Sequence, residues 1–329
     1  MGEGHYVDRP EDRLVATACP HATRLGTAEP SHSRTTPKAA RDNLPCGIEG
    51  HRRLLPMKST PRRVAFVLAA TAHGPLILSR FDYHQVDNRI FGVGAELLAN
   101  ASFSPDEIEL VLPLLRYRRQ YFGDGVVMVD CGANIGVHTL ESAIEMTGWG
   151  SVIAIEAQER VFYALAGNIA LNNCFNARAI HAAVGAAEGR MRVPVPDYLR
   201  PASLGSLEMQ LRLGHEEIGQ VIDYSDAATQ EITAITLDSL ALTRVDLIKI
   251  DVEGMEEQVL AGGRGILQQY QPLVFVEWIK SGKEPLQAAL AASGYRVFDS
   301  GQNLLAVHAS DPTMNHVRQR PPADAPPAM

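Results

Sequence analysis

Beyond residue 123, apolar runs alternate with segments whose apolar residues recur every three or four positions. The runs predict buried strands, and the periodic segments predict amphipathic helices. Repeated strand–helix alternation predicts a mostly parallel sheet covered by helices on both faces. The predicted strands are 126–130, 152–156, 177–184, 246–251 and 273–278; the predicted helices are 137–147, 159–172, 236–242, 254–269 and 283–293; and 295–299 with 303–308 form a closing hairpin.

A longer helix is predicted immediately upstream. Ser104 is placed as its N-cap, Pro105 lies in its first turn, and Glu107 completes a capping box three residues after the cap. Gly123 ends the helix. This helix therefore leads directly into the first strand of the alternation.

The segment before that helix contains two short apolar runs around a His-Gly-Pro turn. They predict a hairpin of strands 64–70 and 76–79. The alternative, for translation that starts at Met57, is a secretion signal with a basic start and a short apolar core. The apolar run is short and the following residues are strand-like, which favours the hairpin.

Both ends of the chain lack apolar periodicity and are rich in polar residues and proline. Such segments bury too little surface to offset chain entropy, which predicts disorder. The chain is thus divided into a disordered extension at 1–58, a hairpin and helix at 59–123, the strand–helix alternation at 124–310 and a disordered tail at 311–329.

Composition narrows the classes of function. The net charge of −8 argues against a nucleic-acid groove, and no stretch is long and apolar enough to span a bilayer. The four cysteines show neither a C-x-x-C pair nor metal-ligand spacing. Reduced thiols in a cytoplasmic protein are therefore expected.

The stretch VDCGANIG, residues 129–136, carries the first candidate chemistry. Asp130 ends the first predicted strand, and Gly132 and Gly136 permit the backbone to approach a ligand closely. A dinucleotide-binding loop is ordinarily G-x-G-x-x-G, and Asp130 would repel a pyrophosphate. The acid suits a cation instead, such as the α-ammonium group of S-adenosylmethionine.

A second acid, Glu156, ends the second predicted strand. An acid at this place accepts hydrogen bonds from ribose hydroxyls. Nicotinamide dinucleotides and S-adenosylmethionine both carry an adenosine ribose, so Glu156 does not separate them, whereas Asp130 does. The alternative for Glu156 is a solvated residue at a strand end.

Further charged residues form a second candidate group. Strand alternation places Lys249, Asp251 and Glu253 on one side of a buried strand. A buried charge costs free energy, so charges at such positions are expected to form ion pairs or to take part in catalysis. A carboxylate among them would orient a hydroxyl or remove its proton; the alternative is a structural ion-pair network around Lys249.

Glu277 ends the fifth strand and with Asp251 would suit a divalent metal, but hydrogen bonding within the fold is equally expected and no metal is assigned. His138 is placed to touch the cofactor or accept a proton, the alternative being packing against the loop.

Several segments resemble the FkbM-type S-adenosylmethionine-dependent methyltransferases, in that family's order. They include VDCGANIGVHTL (129–140), AIEA (154–157), NIALN (168–172), AAVG (182–185), ITLDSL (235–240), DLIKIDVEGMEEQVLAGG (246–263) and PLVFVEW (272–278). The paired DxGANxG and IKIDVEG motifs are specific to the family. The resemblance implies an α/β class I methyltransferase fold, which is a Rossmann-like, doubly wound sheet of seven strands, mostly parallel with an antiparallel last strand.

The resemblance also implies an activity and a set of site residues. Family members methylate hydroxyl oxygens of sugars, glycans or secondary metabolites, so we expect a small-molecule or glycan acceptor and no nucleic acid. Residues 124–310 become the S-adenosylmethionine-binding methyltransferase domain, with acceptor choice expected in the insertion at 186–231. Gln158 and Met255 depart from the common family pattern. The expected cofactor-binding residues are Asp130, Gly132, Ala133, Asn134, Gly136, His138 and Glu156, and the expected catalytic residues are Lys249, Asp251, Glu253 and Glu277.

Two other functions stay open. A nicotinamide-dependent oxidoreductase is disfavoured by Asp130 and by the missing middle glycine of the loop. A non-catalytic module that only binds S-adenosylmethionine is disfavoured by the intact acids Asp251, Glu253 and Glu277.

Overall fold

The computed structural model describes residues 62–212 and 216–317. The strands are β1 (Phe66–Thr71), β2 (Gly74–Ser79), β3 (His84–Val86), β4 (Arg89–Phe91), β5 (Val126–Cys131), β6 (Gly150–Glu156), β7 (Ala177–His181), β8 (Ala183–Val184), β9 (Gly189–Pro194), β10 (Thr229–Ile235), β11 (Leu247–Ile250), β12 (Leu273–Glu277), β13 (Tyr295–Ser300) and β14 (Asn303–His308). The helices are α1 (Val93–Asn100), α2 (Pro105–Phe122), α3 (Val137–Glu145), α4 (Glu159–Leu171), α5 (Glu256–Ala261), α6 (Arg264–Tyr270) and α7 (Lys283–Ala292).

The central sheet has seven strands in the order β13-β14-β12-β11-β5-β6-β7. All neighbouring pairs are parallel except those of β14, which runs antiparallel to both β12 and β13. The predicted doubly wound sheet with an antiparallel last strand is confirmed. From β5 the chain moves outward through β6 to β7, and from β11 it moves outward on the other side, so the strand order reverses between β5 and β11. The carboxyl ends of these two strands form the crevice in which such sheets bind ligands.

Both faces of the sheet are buried, which explains the continuous apolar runs. On one face, Met128 and Phe275 pack in a cluster that includes apolar residues of α2 and α3. On the other, Val129 and Ile248 pack with apolar residues of α5, α6 and α7. The sheet is therefore held rigidly, and the strand ends at the crevice are fixed in position.

Residues 177–184 do not form the one strand that was predicted. The chain leaves the central sheet after β7, and β8 pairs in parallel with β10 instead. A second sheet of order β8-β10-β9 results, with β9 antiparallel to β10. The insertion at 186–231, in which acceptor choice was expected, contains β9, the segment between β9 and β10, and the start of β10.

The predicted helix 236–242 is wrong, since the chain there forms only a 3₁₀ turn at Asp238–Leu240. Ser239 donates its hydroxyl to the Thr236 carbonyl, and its backbone N–H donates to the Thr236 hydroxyl. Side-chain hydrogen bonds of this kind compete with the helical ladder.

The predicted helix 254–269 is divided into α5 and α6 by Gly262 and Gly263. A β-carbon at Gly262 would overlap the carbonyl oxygen of Gly185. The glycine is therefore required by the close approach of two chain segments, and the helix ends there.

Helix α2 forms where it was predicted, with Ser104 at the N-cap position. The predicted capping box is wrong, because Ser104 makes no side-chain capping hydrogen bond. Glu107 instead accepts a hydrogen bond of 2.7 Å from the side-chain amide of Asn303, at the start of β14. A tertiary contact has replaced the local one.

Near the amino-terminal side, β1 and β2 pair antiparallel as the predicted hairpin. The disorder predicted for residues 1–58 lies outside the described residues. The tail predicted from residue 311 has to be corrected, because residues 311–317 are described and Asp311 forms an ion pair with the buried Arg118. A buried guanidinium requires such partners, which holds this segment against α2.

Within the described residues, every helix is too short or too polar to cross a membrane. Two of the four cysteines, Cys131 and Cys174, also fall in this part of the chain, and both are free and buried.

Candidate active site

A cavity of about 470 Å³ lies at the carboxyl ends of the central strands. It is bordered by the glycine loop after β5, by the ends of β6, β11 and β12, and by part of the insertion. All the site residues expected from the sequence border it: Asp130, Gly132, Ala133, Asn134, Gly136, His138, Glu156, Lys249, Asp251, Glu253 and Glu277.

The two loop glycines border the cavity and are also required by close contacts within the fold. Both have positive φ angles, 77° at Gly132 and 95° at Gly136. A β-carbon at Gly132 would overlap the carbonyl oxygen of Asp251, and one at Gly136 would lie 2.6 Å from Cδ1 of Leu165. The space that these glycines leave is filled by protein.

Asn134 holds the loop in place. Its φ angle is 51°, a left-handed value that asparagine tolerates better than most residues. Its N–H donates to Oε2 of Glu156 at 3.0 Å, and its side-chain oxygen accepts from the N–H of Ile135 at 2.8 Å. The loop is thereby tied to the end of β6.

Asp130 is 1% exposed and has one carboxylate oxygen without a donor. Oδ2 accepts a hydrogen bond of 2.7 Å from the hydroxyl of Thr139, whereas Oδ1 is buried without a partner among the described residues. A buried acceptor left unpaired costs about 1–3 kcal/mol. An ammonium group, or a water molecule bound to such a group, would donate a hydrogen bond to Oδ1 and remove this cost. Asp130 therefore fits the cation expected from the sequence.

Glu156 is buried, and both of its carboxylate oxygens accept backbone hydrogen bonds, from Asn134 at 3.0 Å and from Gln158 at 2.7 Å. Burial raises the pKa of Glu156 to about 7, with a smaller contribution from the charge of Asp251. A carboxyl oxygen accepts more than one hydrogen bond. Glu156 therefore keeps acceptor capacity toward the cavity for hydroxyl groups such as those of a ribose.

Lys249 is only 3% exposed, and its Nζ lies 3.0 Å from Oδ2 of Asp251. Burial acts to lower the pKa of Lys249, but the carboxylates of Asp251, Asp130 and Glu107 raise it above the usual lysine value. The ion-pair network that the sequence left open is therefore present.

Three carboxylates gather beside this lysine. Asp251, Glu253 and Glu277 each offer an oxygen within 4.8 Å of the others. Glu253 has a strained φ angle of 56° and forms an ion pair with Lys280. Burial and then the charge of Asp251 raise the pKa of Glu253, and they raise the pKa of Glu277 to about 8. Such a cluster is suited to hold a proton or a cation.

The three acids differ in their partners. Asp251 is paired with Lys249, and Glu253 is paired with Lys280. The structure gives no side-chain hydrogen bond or ion pair for Glu277 within residues 62–212 and 216–317. Among the described residues, Glu277 is thus the acid of the cluster that has no lysine partner.

The sequence model of the methyltransferase FkbM domain matches residues 130–298, which is more than half of the chain. The chain belongs to the FkbM methyltransferase family. The family is S-adenosylmethionine-dependent, which implies S-adenosylmethionine as the cofactor. No curated protein matches the sequence.

Three solved structures with a similar fold share little sequence with this chain. The methyltransferase FkbM from Methylobacillus flagellatus is 17% identical with a TM-score of 0.38, over 58% of this chain and 48% of that one. The match thus spans about half the length of that protein. The precorrin-6y C5,15-methyltransferase from Geobacter metallireducens is 15% identical with a TM-score of 0.35, over 61% and 86%. A methyltransferase from Aquifex aeolicus described as SAM dependent is 13% identical with a TM-score of 0.30, over 63% of this chain and 97% of that one.

Sequence reasoning missed Lys280 of this FkbM-family site. Its Nζ donates to the carbonyl of Ser206 at 2.6 Å and to Glu253. Ser206 belongs to the insertion, so Lys280 joins the insertion to the acid cluster. Its position three residues after Glu277 was the available signal, because a cation just beyond an acidic strand end is a candidate counter-ion.

Glu107 was also missed as a site residue. Its Oε2 lies 3.2 Å from Nε2 of His138, at ion-pair distance but without good hydrogen-bond geometry. Nothing in the local sequence indicates this contact, since α2 and α3 are brought together only by the packed sheet.

Proposed function

We propose that this protein transfers a methyl group from S-adenosylmethionine to a hydroxyl oxygen of a sugar, a glycan or a secondary metabolite, in the cytoplasm. The family supplies the cofactor class. The observation that carries oxygen methylation is Glu277, a carboxyl group with a pKa of about 8 that has no side-chain partner among the described residues and borders the cavity.

Glu277 suits the removal of a hydroxyl proton. A general base works best when its pKa is close to the working pH, and burial has moved Glu277 into that range. Asp251 and Glu253 are held by lysines and would orient the hydroxyl rather than accept its proton. A carboxylate with an ordinary pKa would be a weaker base for the same step.

When bound, S-adenosylmethionine supplies an electrophilic methyl group on a sulfonium. Glu277 would accept the hydroxyl proton, which leaves the acceptor oxygen able to take up that methyl group. The buried strands hold the acids in place at the edge of the cavity. Positioning of the acceptor hydroxyl would therefore supply much of the rate.

Turnover tests the reaction. Formation of S-adenosylhomocysteine is measured with a panel of neutral glycosides for the wild type and for Glu277→Gln. We expect kcat to fall by about 10²- to 10⁴-fold in the variant, with unchanged affinity for S-adenosylmethionine. Glu257→Gln, an exposed acid on α5 that does not border the cavity, is the control and should keep wild-type turnover. Equal turnover in Glu277→Gln and the wild type would contradict the base assignment.

Cofactor binding is tested separately by calorimetry with S-adenosylmethionine. Asp130→Ala and Glu156→Ala should each weaken binding by roughly tenfold or more, because each removes a charge-assisted hydrogen bond. Asp124→Ala, an exposed acid just before β5, should bind like the wild type. Unchanged binding in both cavity variants would show that the cofactor lies elsewhere. Binding without any turnover would instead favour a non-catalytic module.

A further inference from the structure

The mouth of the cavity is apolar on one side. Ile90 and Phe91 of β4 border the cavity and are 61% and 49% exposed, and Ile279, just after β12, borders it and is 44% exposed. A single exposed apolar side chain is ordinary, but three at the rim of one cavity form a surface that favours an apolar ligand.

The charged groups around the same cavity are predominantly acidic. Eight carboxyl side chains border it, against two lysines and one histidine. Both lysines are already paired, Lys249 with Asp251 and Lys280 with Glu253 and Glu216. The cavity-bordering residues that the structure describes include no arginine.

A phosphate group is bound in proteins by arginine, lysine or clustered backbone N–H groups. Here both lysines are paired with acids. An added anion would therefore meet mostly acidic side chains, including those of Asp130, Asp251 and Glu107, and no unpaired lysine or arginine among the described residues that border the cavity. Like charges at close range disfavour a ligand. A neutral acceptor meets no such repulsion and gains from covering the apolar rim.

We infer that the acceptor is an uncharged hydroxyl compound with an apolar body that lies against Ile90, Phe91 and Ile279, and that phosphate-bearing acceptors are excluded. This inference rests on the proposed methyl transfer to a hydroxyl. It selects among the proposed acceptors: a hydrophobic glycoside or aglycone fits the cavity, and a sugar phosphate or nucleotide sugar does not.

Calorimetry with three probes tests the inference in the presence of S-adenosylhomocysteine. The probes are hexyl β-D-glucoside, hexyl phosphate and glucose. Hexyl phosphate has the hexyl chain of the glucoside, and glucose has its sugar. We expect the glucoside to bind at least tenfold more tightly than either of the others. Phe91→Ala should weaken glucoside binding by about tenfold, and Ile90→Ser serves as a second variant of the same rim.

Val86→Ala is the matched control. Val86 lies in β3 of the same small hairpin and is 47% exposed, but it does not border the cavity. It should leave glucoside affinity unchanged. Hexyl phosphate binding as tightly as the glucoside, no glucoside binding at all, or equal effects of the Phe91 and Val86 substitutions would each overturn the inference. Glucoside binding without methyl transfer would overturn the proposed reaction and leave the binding preference standing.

Discussion

The backbone at Gly132 lies so close to the carbonyl oxygen of Asp251 that no β-carbon fits between them. Gly132 belongs to the loop after β5, and Asp251 follows β11, the neighbouring strand. The two motifs that carry the family resemblance therefore touch at this point. The loop expected to hold the cofactor and the acid expected to face the acceptor are fixed against each other.

Gly132→Ala should destabilise the protein by about 3 kcal/mol or more, since it combines a strained positive φ with backbone overlap. Gly148→Ala is the control, because Gly148 has a similar φ of 82° but nothing within 4 Å of the added carbon. That variant should lose only about 1–2 kcal/mol. Urea unfolding measures both, and equal losses would show that the contact with Asp251 contributes nothing.

The rate of methyl transfer should rise with pH through about 8, the pKa of Glu277. Only the ionised carboxylate accepts the hydroxyl proton, so kcat should fall about tenfold for each pH unit below this value and level off above it. Glu277→Gln should turn over slowly, and its kcat should not rise with pH in this range. If kcat of the glutamine variant rises with pH as in the wild type, a group other than Glu277 controls that rise.

The raised pKa of Glu277 also predicts how the free energy of unfolding depends on pH. The folded state holds the Glu277 proton more tightly than the unfolded chain, whose glutamate has a pKa near 4.5. This contribution is fully present below pH 4.5 and is lost as pH rises through about 8. The urea midpoint of the wild type should therefore fall more between pH 5 and pH 8 than that of Glu277→Gln. Parallel pH dependences would argue against a buried, protonated Glu277.

The strands of the central sheet were predictable because burial on both faces requires a continuous run of apolar residues in the sequence. The run at 126–130 became β5 (Val126–Cys131), and 273–278 became β12 (Leu273–Glu277). The strand ends were predictable for the same reason, and with them the acids that border the cavity. Parallel strands bring their carboxyl ends to one edge, so residues far apart in sequence were expected together.

Other parts of the site depend on packing that leaves no local pattern. Glu107 has the spacing of a capping residue, yet it reaches His138 and Asn303 across the packed elements. Ile90 and Phe91 lie on a short hairpin whose sequence does not indicate a cavity. The 254–269 pattern is helical throughout, but contact with Gly185 divides it. Tertiary contacts overrode local preference at each of these places.

Lys249→Met should destabilise the protein strongly. The substitution leaves the carboxylates of Asp251, Asp130 and Glu107 without the buried cation between them, and breaking a buried pair costs about 3–5 kcal/mol. Lys283→Met is the control, because Lys283 pairs with Asp299 at 2.8 Å near the surface, where a pair is worth about 1 kcal/mol or less. Urea unfolding at pH 7 compares them. A loss in Lys249→Met no larger than in the control would show that the acids tolerate one another without the lysine.

Removal of metal ions should change turnover by less than about twofold. Three acids within 4.8 Å of one another would ordinarily suit a divalent cation, but Lys249 and Lys280 already supply two positive charges to the cluster. Turnover is measured after dialysis against a chelator and again after magnesium is added back. Lys280→Met provides the matched comparison, because loss of one charge should raise magnesium affinity relative to the wild type. Loss of wild-type turnover on chelation, restored by magnesium, would show instead that Asp251, Glu253 and Glu277 hold a metal.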